Sequence, residues 1–490
     1  MANILRMVIA SGLKFPISKV TDYTMIPSNT FGVFVGIERS ERHRLSKWPI
    51  DVHGCIGYWD SDYKNLDNNT IINKLIDVSF DATWNDKRRK YFRHTLYVDI
   101  YAKYKVYFMR NPIKKIDSNT GQIETTSEYF NNKKYGLIVE NIKSKSQRAT
   151  YLPDVFPDSE WNYIKKSLIN KAAGHNETDF VFYAYECDIF YMILADYFIK
   201  PFQNFVNHNY KTFIPYMVNN NNIIVINKSE DVRNLATIYD ILQMRKFGYN
   251  IEPSVINAIN NNIEYYKQKY SRKKNSMRQA SPFLVLDLSE TNRLDSMINH
   301  ILSDLNDQLV LQQRYDISDN PPNFEPIDKN FEQGEILMAM TKLNYISQPV
   351  INEIDKVVRD NTITNDTTDI FRYNWYSKLV NVKFMNPAFR NILLDRILKF
   401  IDTHNANETN FYAVEFEALC TIYPIVDDNT RLKMEPYIEN LIIALENRRN
   451  ANGLYEFTDG TMRIDITGHV MNGFYGLMLI RCTNSLCSNH

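Results

Sequence analysis

A short pattern returns along the second half of this chain: a proline, then aliphatic or aromatic residues two and five places on. It occurs at Pro253 (with Val255 and Ala258), Pro349 (Ile351, Ile354), Pro387 (Phe389, Ile392) and Pro436 (Ile438, Leu441). Ser296, with Ile298 and Ile301, continues the series without the proline. The starts lie about 43, 53, 38 and 49 residues apart, a period typical of paired-helix repeats. Proline suits the first helical turn, where its missing N–H costs no hydrogen bond. Apolar stretches at 238–244, 335–343, 371–380 and 413–423 precede these helices. The spacing predicts about five helical hairpins, stacked as an open solenoid or closed into an α/α toroid.

The chain has 490 residues, too many for one core, so two or more domains are expected. Lys+Arg and Asp+Glu both count 57, which leaves no global field to draw nucleic acid or anionic membrane. Five cysteines (Cys55, Cys187, Cys420, Cys482, Cys487) show no zinc or disulfide-framework spacing and fit a reducing compartment. The N-terminus has no signal-peptide pattern, and no apolar run reaches the length of a membrane span. The expected location is therefore cytoplasmic. Asparagine runs at 219–222 and 260–262 suggest an AT-rich genome, such as that of an amoebal organism or a large DNA virus.

Before about residue 205 the texture differs. Alternating apolar positions predict strands at 31–39, 53–60, 95–108, 134–142, 147–153 and 179–193, with helices over 72–84 and 159–174. Ser159 is the expected N-cap of the latter helix and Gly174 its C-cap. His53, Gly54, Cys55, Ile56 and Gly57, followed a hundred residues later by Ala149, Thr150, Tyr151, Leu152 and Pro153, carry a resemblance. In this order, with Trp161 and Ile164 on the next helix and Glu186 on the last strand, they resemble the AMMECR-type domain over roughly residues 25–200. The resemblance implies a mixed α/β fold around an antiparallel sheet. It implies no particular reaction. Two departures stand out: His53 replaces the family's arginine, and its aspartate-arginine-phenylalanine-proline segment is not visible in residues 81–92.

The expected architecture is thus α+β: an AMMECR-like α/β domain over 1–205 and an all-α repeat or toroid over 206–490. In the first, Cys55 is a candidate nucleophile with His53 or Glu186 as base or orienting group. His53 and Cys55, two apart on a strand, would share a face. The competing reading makes Cys55 a small buried residue between glycines. Tyr151 is a weaker binding candidate.

In the second domain, Asp459, Arg463, Asp465 and His469 form a dense polar set near the C-terminus, with Asp465 and His469 at helical spacing. Capping and surface pairing also explain them. The segment 453–478 is similar to glycine-aromatic turns of α/α toroids in carbohydrate-active enzymes and terpene cyclases. A toroid would place a site in its central cavity, where Glu415 and Glu417 are further candidates. Basic runs at 272–274, 87–90 and 38–47 come with no nucleic-acid-binding motif.

Three functions remain open: an enzyme centred on Cys55, a scaffold whose helical domain binds a protein partner, and a carbohydrate- or lipid-active toroid. No metal pattern is present, and the sequence identifies no cofactor and no oligomeric state.

Overall fold

The structure, a computed structural model, describes residues 1–17, 20, 22–39, 52–126, 128–156, 158–174, 176–219, 221–291, 296–318, 323–329, 331–359, 369–380, 387–403, 408–457 and 459–480. Most of the basic loop at 38–47, as well as Cys482 and Cys487, lies outside the described residues. The chain forms two compact units. One is Met1–Arg93 with Tyr101–Leu194; the other is Ala195–His490 with the excursion His94–Ile100.

The first unit runs α1 (Ala2–Gly12), β1 (Thr30–Glu38), β2 (Val52–Trp59), α2 (Asn68–Trp84), β3 (Lys103–Ile116), β4 (Gly136–Asn141), β5 (Arg148–Tyr151), α3 (Trp161–Lys171) and β6 (Phe180–Ile193). Its six strands form one antiparallel sheet in the order β2-β1-β3-β6-β4-β5. Helices α1 and α2 pack together on one face, α1 over β3 and β6 and α2 over β2 and β1, where Val33, Val35 and Ile37 are wholly buried. The opposite face holds a second core of Phe31, Phe34, Tyr107, Met109 and Tyr185. Although β2 and β5 are the two sheet edges, the Arg148 guanidinium lies 4.9 Å from the Trp59 ring centroid. The sheet is therefore rolled, and this second core is its interior.

Two local expectations change. The strand expected at 95–108 begins only at Lys103, because 94–100 leaves the sheet for the second unit, where Thr95 N–H donates to Glu435 (2.8 Å) and the His94 ring is bonded to the same carboxylate. Helix α3 is capped at Glu160, not Ser159, and ends at Ala172, with Gly174 N–H closing back on Ile169 carbonyl at 3.0 Å. The apolar N-terminal run forms α1, buried against α2.

The second unit begins with α4 (Leu194–Asn209), which spans the 205/206 position. There follow α5 (Asp231–Lys246), α6 (Pro253–Arg272), α7 (Ser281–Glu290), α8 (Ser296–Ile317), α9 (Glu332–Lys342), α10 (Gln348–Arg359), α11 (Asp369–Val380), α12 (Pro387–Thr403), α13 (Thr409–Ile422), α14 (Asp428–Glu446) and α15 (Ile464–Met478). Helix α5 packs on α7, α7 on α9, α9 on α11, α11 on α13, α13 on α15, and α15 returns to α5. These six form a closed inner ring. The proline-pattern helices α6, α8, α10, α12 and α14 each pack on the inner helix before them or its neighbour, as an outer layer. The sixth pair joins the first helix of the unit to the last: Phe198 of α4 stacks on Phe474 of α15 with ring centroids 4.0 Å apart. The unit is an α/α toroid, one hairpin larger than the periodicity implied.

One repeat start shifts. Pro436 lies inside α14, which begins at Asp428 with the Asp427 carboxylate accepting from both the Thr430 N–H and the Thr430 hydroxyl at 3.0 Å. The strong cap sets the start two turns before the proline.

Closure is held by polar contacts as well as apolar ones. A four-stranded sheet of short strands, β7 (Met217–Val218), β8 (Ile224–Val225), β9 (Tyr455–Glu456) and β10 (Met462–Arg463), pairs the segment before α5 with the segment before α15. The Arg449 guanidinium is ion-paired with Glu446 at 2.9 Å and donates to the Tyr197 and Phe198 carbonyls of α4 at 3.1 and 2.7 Å. Both charges are almost fully buried. Replacing Arg449 by Met strands the Glu446 carboxylate and should cost about 3–5 kcal/mol. Thermal unfolding checks this, and the double variant R449M/E446Q should recover part of the loss.

Candidate active site

The motif that anchors the first unit sits on the edge strand β2. The ladder to β1 shifts between Ile37 and Glu38, so His53 is an extra, bulged residue. The bulge sends His53 toward α2, where its Nε2 lies 3.0 Å from the Thr83 carbonyl oxygen. Gly54 faces the same way, and a Cβ there would come within 1.8 Å of the Ala82 oxygen, so only glycine fits. Burial, assisted by the nearby Arg39 charge, lowers the His53 pKa to about 4, and the ring is neutral.

Cys55 points the other way, into the roll, opposite Gly36 and among the residues of the interior core. The expected shared face of His53 and Cys55 is therefore corrected by the bulge. Cys55 N–H donates to Asp86 at 2.9 Å, and its carbonyl accepts from Arg88 at 3.0 Å, while Arg88 and Asp86 pair with each other. Side chains thus satisfy the outward backbone groups that an edge strand leaves open. Burial raises the thiol's pKa, partly offset by Arg88 and Lys171.

Glu186 is not brought to Cys55. Its neighbours Tyr185 and Cys187 belong to the interior core, so alternation turns it outward, where Arg110 and Lys114 bind it at 3.0 and 3.2 Å. Tyr151 ties β5 to α3 through a 2.8 Å bond to the Ser167 hydroxyl. Neither expected partner is brought to the thiol: His53 and Glu186 each serve elsewhere.

The C-terminal polar set also separates. Asp459 closes a turn by accepting from Thr461 N–H at 2.9 Å. Arg463 pairs with Asp465, and Asp465 also holds Arg233 at 3.1 Å, joining α15 to α5. His469 alone enters the ring. Of the two α13 carboxylates, Glu417 meets it there, whereas Glu415 lies two residues away and roughly 200° around the helix.

The Glu417 carboxylate of α13 is the centre of a cluster drawn from three inner helices. Lys378 of α11 is ion-paired with its Oε1 at 2.9 Å. Asn374 Nδ2, also of α11, donates to Oε2 at 2.8 Å, and His469 Nδ1 of α15 lies 2.7 Å from the same oxygen. Burial alone would raise this carboxyl, but Lys378 and the His469 contact outweigh it and hold it down at about 2. An ionised acceptor requires Nδ1 to carry the proton, which leaves Nε2 as the basic nitrogen. Glu417 is 1% exposed and His469 28%, so the imidazole, not the carboxylate, can reach a ligand.

Beside the cluster, against α15, stands Asp240 of α5. Burial pushes its carboxyl up to about 6, against the Asn472 amide of α15, which donates to Oδ1 at 2.9 Å. Its Oδ2 occupies the place a side chain at Gly468 would take: a Cβ there would lie 2.1 Å away. Glu335 of α9 is raised further, to about 8, by burial and by Glu332. Asp287 of α7 is wholly buried, and neither carboxylate oxygen has a hydrogen-bond partner among the described residues; burial pushes its carboxyl well above the ordinary range. One ring thus contains a carboxylate held ionised, acids held protonated and an oriented imidazole. Charged residues inside apolar runs (Asp240 at 238–244, Asp287 in α7, Glu335 in α9) were the available signal for most of these. Spread over separate helices, they form no motif.

No three His, Cys, Asp or Glu side chains among the described residues are arranged to hold a metal ion. No helix is long and apolar enough to cross a membrane.

Residues 3–190 match the AMMECR1 family model, so the first unit is an AMMECR1 domain. No curated protein matches the chain. An uncharacterized protein from Pyrococcus horikoshii is similar over 38% of this chain and 87% of its own, at 17% identity and a TM-score of 0.28. An unsaturated glucuronyl hydrolase specific for heparin is similar over 59% of this chain and 97% of its own, at 9% identity and a TM-score of 0.42. The toroid itself is defined by the closed cycle of helix contacts.

Because the Asp240 carboxyl is raised from 3.8 to about 6, the folded state holds a proton that the unfolded chain releases earlier. Its contribution is complete below about pH 4 and is lost as the pH rises through 6. Relative to Asp240→Asn, wild-type stability should therefore fall by about 3 kcal/mol across that window, measured by denaturant unfolding at successive pH values.

Proposed function

We propose that the toroid is the enzymatic half of this protein and that its lumen performs general acid–base chemistry on a small polyhydroxylated, sugar-like molecule. The observation that carries the reading is the Lys378–Glu417–His469 cluster beside Asp240 within one closed ring. Environments that push titratable groups apart divide the roles of base and acid. His469 Nε2 accepts a proton, with Glu417 fixing its tautomer and stabilising the imidazolium that forms. Asp240, protonated in a buried site, donates one. Asn374, Asn472 and Lys378 make the lining polar, which favours a hydroxyl-rich ligand over a lipid.

A non-catalytic scaffold would need an exposed groove along the helices. Closure of α15 onto α5 supports a lumen in its place. The Cys55 reading has less support, since burial disfavours the thiolate and neither proposed base reaches it.

Turnover in a panel of chromogenic glycosides should be lost by about 10²–10⁴-fold in His469→Asn and in Asp240→Asn, and retained in Cys55→Ser. Activity should decline as the pH rises past about 6, where Asp240 gives up the proton it must donate. Turnover that survives both lumen substitutions, or that fails in Cys55→Ser, contradicts the proposal.

A further inference from the structure

The basic run at 87–90 has no part in the lumen. It belongs to the first unit, where Lys87–Tyr91 forms a short 3₁₀ helix between α2 and β3. Beside it lies an open recess of about 490 Å³, lined by Asp86, Lys87, Arg89, Lys90 and Phe92. Small-molecule sites are of this size, roughly 300–1,000 Å³. One of these residues is an acid, and its charge is already used. Asp86 Oδ1 accepts from the Arg88 backbone N–H and from Arg88 Nε, both at 2.9 Å. Its Oδ2 accepts from the Cys55 N–H at 2.9 Å and from Arg88 Nη2 at 2.6 Å. Two oxygens with two donors each have no acceptor site left for another cation.

Lys87, Arg89 and Lys90 are exposed, and none of them forms an ion pair among the described residues. Aromatic rings hold two of them instead. The Arg89 guanidinium lies 4.7 Å from the Trp84 ring centroid and donates to the Trp84 carbonyl at 3.3 Å. The Lys90 ammonium lies 5.3 Å from the Tyr91 ring centroid. Lys14 adds a further cation on Trp84, at 4.4 Å. A ring face positions a cation without neutralising it. Against Phe92 pack the buried Arg39 guanidinium, 5.0 Å from its centroid, and the His53 ring, at 5.4 Å. Burial first, then the Arg39 and Arg89 charges, keep His53 neutral against the opposing effects of Thr83 and Asp86. Solvation alone accounts for an isolated surface lysine. It does not account for three unpaired cations round one concavity whose carboxylate is spent on Arg88.

We infer that this recess binds a small molecule carrying two or more phosphate groups. The planar Arg89 fork matches phosphate oxygens, and Lys87 and Lys90 supply two further charges. A ligand with a single carboxylate would leave most of that charge uncompensated. The recess is bounded, which favours a small molecule over a stretch of nucleic acid. Because the attraction is between exposed charges, binding weakens as salt rises. The inference is independent of the lumen reading, since it draws on other residues in the other unit.

The probe is inorganic pyrophosphate. Full-length protein is treated with a limiting amine-acylating reagent at constant ionic strength, and each lysine is followed by peptide mass spectrometry. Pyrophosphate should slow modification of Lys87 and Lys90 at least about fivefold and leave the exposed Lys64 unchanged. It should raise the thermal midpoint of wild type and of His469→Asn, but not of a variant carrying Lys87→Met and Lys90→Met, two exposed positions where the fold tolerates change. Citrate, also multiply charged, should protect less; equal protection makes the ligand a polycarboxylate and overturns the phosphate assignment. Protection by a polyuridine oligonucleotide without protection by pyrophosphate makes the recess part of a nucleic-acid surface and overturns the small-molecule assignment. No protection, or equal protection of Lys64, leaves a diffuse positive surface and overturns the inference altogether.

Discussion

A ring of helices encloses space only if its last member meets its first. Here that requirement falls on α15, which packs on α13 on one side and α5 on the other. The contacts that secure it come from distant parts of the chain: the Phe198–Phe474 stack, the Arg449 bonds to α4, the strand pairing of β7 with β10, and the Arg233–Asp465 ion pair. An open array of the same helices would leave Glu417, Asp240 and Asp287 close to bulk water, where carboxyls titrate in their ordinary range. Closure dehydrates them. Local contacts then set each one apart: Lys378 and His469 hold Glu417 ionised, amide donation meets Asp240, and no donor among the described residues meets Asp287. The chemistry proposed for the lumen follows from topology first and residue identity second.

Much of this architecture was legible in the sequence. Proline at the first turn marked most outer helices, because its constraint is local and independent of the fold around it. The glycines of the His53–Gly57 motif were legible for a similar reason. Gly54 has the Ala82 carbonyl against it, so the motif records a close approach of strand to helix. Features that depend on distant partners were not legible. Alternation placed His53 and Cys55 on one face, but a bulge breaks the period of two, and nothing local announces it. The run at 95–108 alternates well enough for a strand, yet its first part is claimed by Glu435, some 340 residues away.

The candidate site divides along the same line. His469 stood out because it lies in a dense polar segment, and Glu417 because it sits beside Glu415. Neither could be joined to the other, nor to Asp240 or Lys378, without knowing that four helices converge. Conversely, Cys55 was conspicuous for its setting between glycines, and that setting now has a structural cause: Asp86 and Arg88 hold its backbone and seal an exposed strand edge. The AMMECR1 domain thus keeps its motif in the interior and edge of a rolled sheet, while the titratable groups set apart by their surroundings lie in the toroid.

The central claim is that one closed ring holds Glu417 ionised and Asp240 protonated over the same range of pH. Carbon-13 NMR titration of side-chain carboxyls, with the two signals assigned from Glu417→Gln and Asp240→Asn, measures this directly. The account predicts that Asp240 titrates near pH 6 and that Glu417 stays ionised down to pH 3. Two signals that titrate together in the ordinary carboxylate range near 4 would contradict it.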